Sequence, residues 1–153
     1  SGAVLAVIGM LGLWMEQPWL FPSLGPTIFL QAVTPDQPAA RPWNTLVGHA
    51  VGVVAGFAAL YLLGAQADPP TLSAGVLTIG RVAATALAVG ATIALQLALS
   101  AQHPPAAATT MLITLGGLKP DWSTVGLIAV GVALVAALGE GARLLHPERG
   151  PRP

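Results

Sequence analysis

Gln102-His103-Pro104-Pro105-Ala106-Ala107-Ala108-Thr109-Thr110 is a polar break set inside apolar sequence. A run long and apolar enough for a membrane span precedes it, and Met111-Leu112-Ile113-Thr114-Leu115 follows it. A helix arriving from the N-terminal side cannot pass through this stretch. Pro105 has no N–H, and Pro104 drives His103 out of the α region. Proline does suit the first turn of a new helix. The stretch therefore predicts a chain break followed at once by a fresh helix start at Pro105. At membrane depth such a break persists only where protein or a water-lined cavity surrounds it. This makes it the first place to look for function.

The surrounding composition supports the membrane reading. The 153 residues are 54% hydrophobic and 8% charged, whereas soluble domains carry roughly 25% charged residues. Six basic and six acidic residues cancel, with no basic stripe, so nucleic-acid binding is excluded. Without cysteine there are no disulfides and no thiolate metal sites. The expected location is an integral protein of a bacterial inner (plasma) membrane, with the lipid bilayer as its first partner.

Apolar runs predict span A over about 3–15, span B over about 44–64, span C from near Gly80 to about 101, and span D over about 123–145. Span A begins abruptly and is short for a bilayer, so residues upstream are expected to complete it. Between A and B lies a second break, Phe21-Pro22-Ser23-Leu24-Gly25-Pro26-Thr27, followed by a short apolar piece over 28–33. The tail, 147–153, is polar, and its arginines favour a cytoplasmic C-terminus.

The two halves echo each other at a spacing of 79 residues: Pro26 and Pro105, Trp43 and Trp122, Thr45 and Thr124, and Ala50-Val51-Gly52-Val53 with Ala129-Val130-Gly131-Val132. The expected fold is therefore a single all-α transmembrane domain over 1–153. It has two pseudo-repeats, about 3–64 and 80–146, each a span, a proline-broken half-helix and a span. That is four full spans plus two short half-helices. Parallel and inverted repeats both place four basic residues inside and two outside, so charge counting leaves them open. Interrupted segments at matching positions point to a transporter-type site.

His103-Pro104-Pro105-Ala106 in this context resembles the signature of the HPP family of integral membrane proteins. Ser23-Leu24-Gly25-Pro26-Thr27 and Pro42-Trp43-Asn44-Thr45-Leu46-Val47-Gly48-His49 are similar to two further family elements, with departures at Pro26, Trp43, Val47 and Ala107. The resemblance covers nearly the whole chain. It implies a four-span protein, and for some members a link to nitrite transport.

Helix N-termini expose backbone N–H groups and partial positive charge, which suits an anion. Paired half-helix starts at Ser23, Gly25, Pro26 and Thr27 and at Pro104, Pro105, Ala106 and Ala107 are thus a candidate site for a small, nitrite-like inorganic anion. Thr27, Thr109 and Thr110 would add hydroxyl donors. His103 is a candidate proton carrier or anion donor, and equally a ring tied to a freed carbonyl. His49, beyond Asn44 in span B, either pairs with His103, lines the pathway or bonds another helix. Two histidines are too few for a metal, and no cofactor or catalytic residue is expected. Arg81 is expected to snorkel at the interface. Gly52 and Gly56 predict a close-packing face between helices or protomers. A chain this small is expected to form a homo-oligomer. The alternative to a transporter or channel, with proton coupling left open, is a structural or regulatory membrane module.

Overall fold

The structure, a computed structural model, describes residues 2–145; the predicted polar tail lies outside the described residues. The described residues are helical, with no strand among them. They form α1 (Gly2–Trp14), α2 (Leu24–Val33), α3 (Pro42–Leu62), the one-turn α4 (Thr71–Ala74), α5 (Ile79–Ala98), α6 (Pro105–Thr114) and α7 (Trp122–Leu145). Three of them, α3, α5 and α7, are long and apolar enough to cross a membrane, while α1 and α2 are shorter apolar helices.

The proline reading at the second break holds. His103 is non-helical and α6 starts on Pro105. Ahead of it α5 closes in a left-handed turn at Ser100 (φ 51°), with Ala101 N–H reaching back to Gln96 O at 2.9 Å. The first break differs from expectation. The half-helix starts at Leu24, ahead of the expected start near Pro26 and Thr27, so Pro26 sits inside its first turn. Proline is tolerated there because the N–H it lacks has no intrahelical acceptor in any case. The segment before α5 also carries structure that the apolar pattern does not mark: a 3-10 turn at Ala65–Ala67, then α4.

The centre of the molecule is α3. Over its apolar window 56% of residues are buried, against 28% for α5 and α7. It packs on α5 and α6 along one side and on α7 along the other. In a bilayer, tight packing rather than water exclusion joins helices, so small residues mark the seams. Gly48, Gly52 and Gly56 form such a seam one turn apart. A Cβ on Gly52 would lie 2.9 Å from Ala106 O, and one on Gly56 would lie 3.2 Å from Ile113. The glycine face thus joins α3 to α6 within one chain. Elsewhere Ile8, Trp19, Phe21, Leu24, Ile28, Ile128, Val132 and Val135 fill an apolar core under α1, α2 and α7.

Arg81 is not at an interface with its head in water. It is 4% exposed and donates to Thr114 O (2.9 Å) and Asp68 O (2.8 Å). A cation at the C-terminal end of α6 is well placed against the helix dipole. The two carbonyls replace the water that snorkelling would have kept.

Candidate functional site

Five polar side chains meet at the middle of the packed helices. Ser23 and Thr27 come from the start of α2, His49 from α3, His103 from the break and Thr109 from α6. None is more than 1% exposed. Ser23 Oγ lies 2.7 Å from Thr109 Oγ1, and Thr109 Oγ1 lies 2.8 Å from His49 Nδ1. Thr27 Oγ1 stands between the two imidazoles, 3.2 Å from His49 Nε2 and 3.0 Å from His103 Nε2. The ring centroids are 4.9 Å apart. On its far side His103 Nδ1 donates to Ala39 O at 2.7 Å. Polar groups in a lipid-facing fold are costly unless paired, and these are paired throughout.

Each position has a local cause. Pro104 and Pro105 keep His103 out of the helix, which frees its N–H. Gln96 Oε1 accepts that N–H at 2.9 Å while Gln96 Nε2 donates to Gly48 O at 3.3 Å. Gly48 lets the histidine in: a Cβ there would lie 2.6 Å from His103 Cβ. Asn44 Nδ2 donates to Gln102 O at 3.1 Å and so ties α3 to the break. Ala39 sits in a 3-10 turn, Pro38–Ala40, that carries its carbonyl to the ring.

Two hollows flank this cluster. An open apolar cleft runs between the two half-helix starts, lined by Gly25, Pro26, Phe29, Pro104, Pro105 and Ala108 among others. A second hollow of about 240 Å³ lies between α3 and α7, with His49 in its wall.

The sequence candidates thus divide. Ser23, Thr27, His49, His103 and Thr109 come together, and Gly25, Pro26, Pro104 and Pro105 line the cleft beside them. Thr110 faces away, bonding Gly52 O, Ala106 O and Thr92 Oγ1. Ala106 is buried against Gly52. Ala107 is half-buried, and its N–H is not free: Ala106 N–H bonds His103 O at 3.0 Å and Ala107 N–H bonds Pro104 O at 3.1 Å. In α2, Leu24 N–H bonds Phe21 O and Thr27 N–H bonds Ser23 O, whereas no carbonyl pairs with Gly25 N–H among the described residues. An open backbone donor at the cleft is therefore Gly25 N–H, on α2. Sequence reasoning missed the Ala39 carbonyl, which has no side-chain signal.

The family model for the HPP transmembrane region matches residues 1–149, so the chain belongs to the HPP family and is an integral membrane protein. No match was found among curated proteins or among solved structures.

Proposed function

We propose that this HPP-family membrane protein is a transporter or channel for a small inorganic anion of nitrite-like size and charge. The observation that carries the reading is the buried cluster of two imidazoles and three hydroxyls beside a cleft bounded by both half-helix starts. Ionisable side chains deep in a membrane protein are expensive and mark ion pathways by default. A fold that needed only packing would fill this place with apolar side chains. Gly25 N–H, Ser23 Oγ and the N-terminal dipoles of α2 and α6 are the groups that would meet the anion. The two starts differ in this reading: α2 gives the free Gly25 N–H, while Ala106 N–H and Ala107 N–H of α6 are turned onto His103 O and Pro104 O.

The wider picture belongs to the same proposal. The order α1, α2, α3 recurs as α5, α6, α7, and the two half-helices have 10 residues each. We read this as two repeats with four crossings, α1 being the shortest. The bilayer and further copies of the chain are the proposed partners, in a bacterial inner membrane with a cytoplasmic C-terminus, and the role is transport rather than catalysis. One observation favours the alternative, a structural module: the five side chains bond one another without need of a guest.

Flux decides between them. Purified protein in liposomes is expected to pass nitrite saturably, with nitrate and formate as comparison ions, and His103→Ala is expected to lose that flux. Correctly assembled protein that passes none of these anions would sink the proposal and leave the structural module.

A further inference from the structure

We infer that the chain is built as two helix bundles inverted with respect to each other, with the polar cluster as the latch between them, and that it carries its anion by opening to one membrane face at a time. This deepens the transport reading above and rests on it, by choosing a carrier over a standing pore.

The helix directions can be read from the seams. Along α3, Gly48 meets His103, Gly52 meets Ala106 and Gly56 meets Ile113, so α6 runs parallel to α3. Along α7, Gly131 meets Phe21 and Gly139 meets Gln31, so α2 runs parallel to α7. Helix α5 runs against α3. Its late residue Gln96 bonds Gly48 O, while its early Arg81 bonds Asp68 O, past the end of α3. Helices α3 and α7 also run opposite ways. Helix α7 sets out beside the last turn of α3, where Tyr61 O–H donates to Pro120 O at 2.8 Å. Near its far end Arg143 is close enough to Asp36, in the loop before α3, to feel its charge.

The four helical crossings are thus joined by two composite passages. After α1 the chain doubles back, with Gly12 meeting Trp19 and Gly9 meeting Leu20, and α2 completes the passage. After α5 the stretch 99–104 does the same for α6. Three passages per repeat is an odd number, so the second repeat enters the bilayer from the face opposite to the first. The axis relating the repeats is visible in the hollows. Residues at the repeat spacing line the same hollow from its two sides: Gly25 and Pro104, Pro26 and Pro105, Phe29 and Ala108 at the cleft. Between α3 and α7 they are Leu46 and Val125, Ala50 and Ala129, Val53 and Val132.

About that axis the helices sort into two bundles. Helix α3 packs with α5 and α6, and α7 packs with α1 and α2. Each bundle joins the last helix of one repeat to the first span and half-helix of the other. The cluster lies between them. His49, His103 and Thr109 belong to the first bundle, Ser23 and Thr27 to the second. The bonds of Ser23 to Thr109, and of Thr27 to His49 and to His103, cross from one bundle to the other. A pore open to both faces would wet these groups, yet none is more than 1% exposed. Parting the bundles at one end breaks the crossing bonds and frees two hydroxyls beside Gly25 N–H, donors that an anion can take up. Each such bond is worth little net, because its groups rebind to guest or water. The two-fold relation makes opening toward either face the same rocking motion about the α3–α7 crossing.

The chain has no cysteine, so single cysteines report cleanly. Gln37→Cys and Lys119→Cys lie at exposed positions in corresponding loops of the two repeats. A membrane-impermeant maleimide is expected to label one in intact cells and the other in inverted vesicles. Labelling of both from the same face overturns the inversion and the inference with it. Ser23→Cys reads the latch: a charged methanethiosulfonate reagent is expected to reach it from each face in turn. If Ser23→Cys does not assemble, Thr109→Cys takes its place. Modification from neither face, or from one face alone, overturns the latch. Liposomes preloaded with nitrite are expected to take up isotope-labelled nitrite several-fold faster than unloaded ones, as a carrier exchanging across the membrane does. Nitrite flux indifferent to preloading overturns the carrier and leaves the transport reading standing. Opposite loop labelling and two-sided reactivity at Ser23→Cys, with no nitrite flux, support the inverted, rocking bundles and overturn nitrite as the cargo.

Discussion

Gly52→Ala tests whether the seam between α3 and α6 is as tight as the geometry makes it. The new Cβ would lie 2.8 Å from Thr110 Oγ1 and 2.9 Å from Ala106 O, where ordinary contact begins at 3.4 Å. The shortfall against the backbone oxygen is 3.4 − 2.9 = 0.5 Å, and a carbonyl in α6 cannot rotate aside as a side-chain end can. Helix α6 must therefore move, carrying Thr109 and Thr110 with it. Overpacking of this kind costs about 1–3 kcal/mol. Replacing glycine in a helix returns roughly 0.5–1 kcal/mol, so the comparison needs controls with the same gain. Gly90→Ala in α5 and Gly126→Ala in α7 supply them, since a Cβ at either meets nothing within 4 Å. Against Gly126→Ala, Gly52→Ala should be less stable by the full packing cost of about 1–3 kcal/mol. Gly56→Ala, at 3.2 Å from an isoleucine methyl, should fall between them, and Gly48→Ala, at 2.6 Å from His103 Cβ, should be no milder than Gly52→Ala. Unfolding in mixed detergent micelles reads the order directly. Equal stability of Gly52→Ala and Gly126→Ala would show that α6 does not sit where the seam puts it.

Gln96→Leu removes the partner of the His103 N–H, and the orphaned donor should lower stability by about 1–3 kcal/mol, checked by the same unfolding assay. At the loop before α7, the Ser123 hydroxyl and the Thr124 N–H hold the Asp121 carboxyl below the ordinary carboxylate value of 3.8. A lowered folded value means stability that is present above 3.8 and lost as the pH falls through the lowered value. Acid titration should therefore destabilise wild type over that interval, and Asp121→Asn should lose less stability there.

How far each feature could be read from the chain depends on whether its cause is local. The break at His103-Pro104-Pro105 was legible because a missing N–H and a ring clash act within one or two residues, and α6 starts where they say. The same chemistry misplaced the start of α2. Gly25-Pro26 reads as a break, yet a proline in the first turn costs a helix nothing, and the bond from Leu24 N–H to Phe21 O has already opened it. The seam on α3 was visible as small residues at helical spacing, but not what it faces. That needed Ala106 and Ile113 to arrive from another helix. Arg81 shows the limit more sharply. It was expected to snorkel, and the two carbonyls that hold its guanidinium instead are backbone groups of Asp68 and Thr114, which no side-chain pattern marks.

The candidate site repeats that lesson with a consequence for function. Both histidines and all three hydroxyls could be picked out as polar residues in apolar surroundings, and the fold brings them together. Beside the five polar side chains stands a sixth member, the Ala39 carbonyl, which holds His103 Nδ1–H. Every residue offers such a group, so no sequence pattern distinguishes this one. If it turned away, His103 could hold its hydrogen on either nitrogen and Thr27 could point to either ring. Bonded, it fixes the hydrogen of a neutral His103 on Nδ1 from a turn at the edge of the molecule. The members of the cluster are thus written in the side chains, while the tautomer of His103 depends on one backbone oxygen.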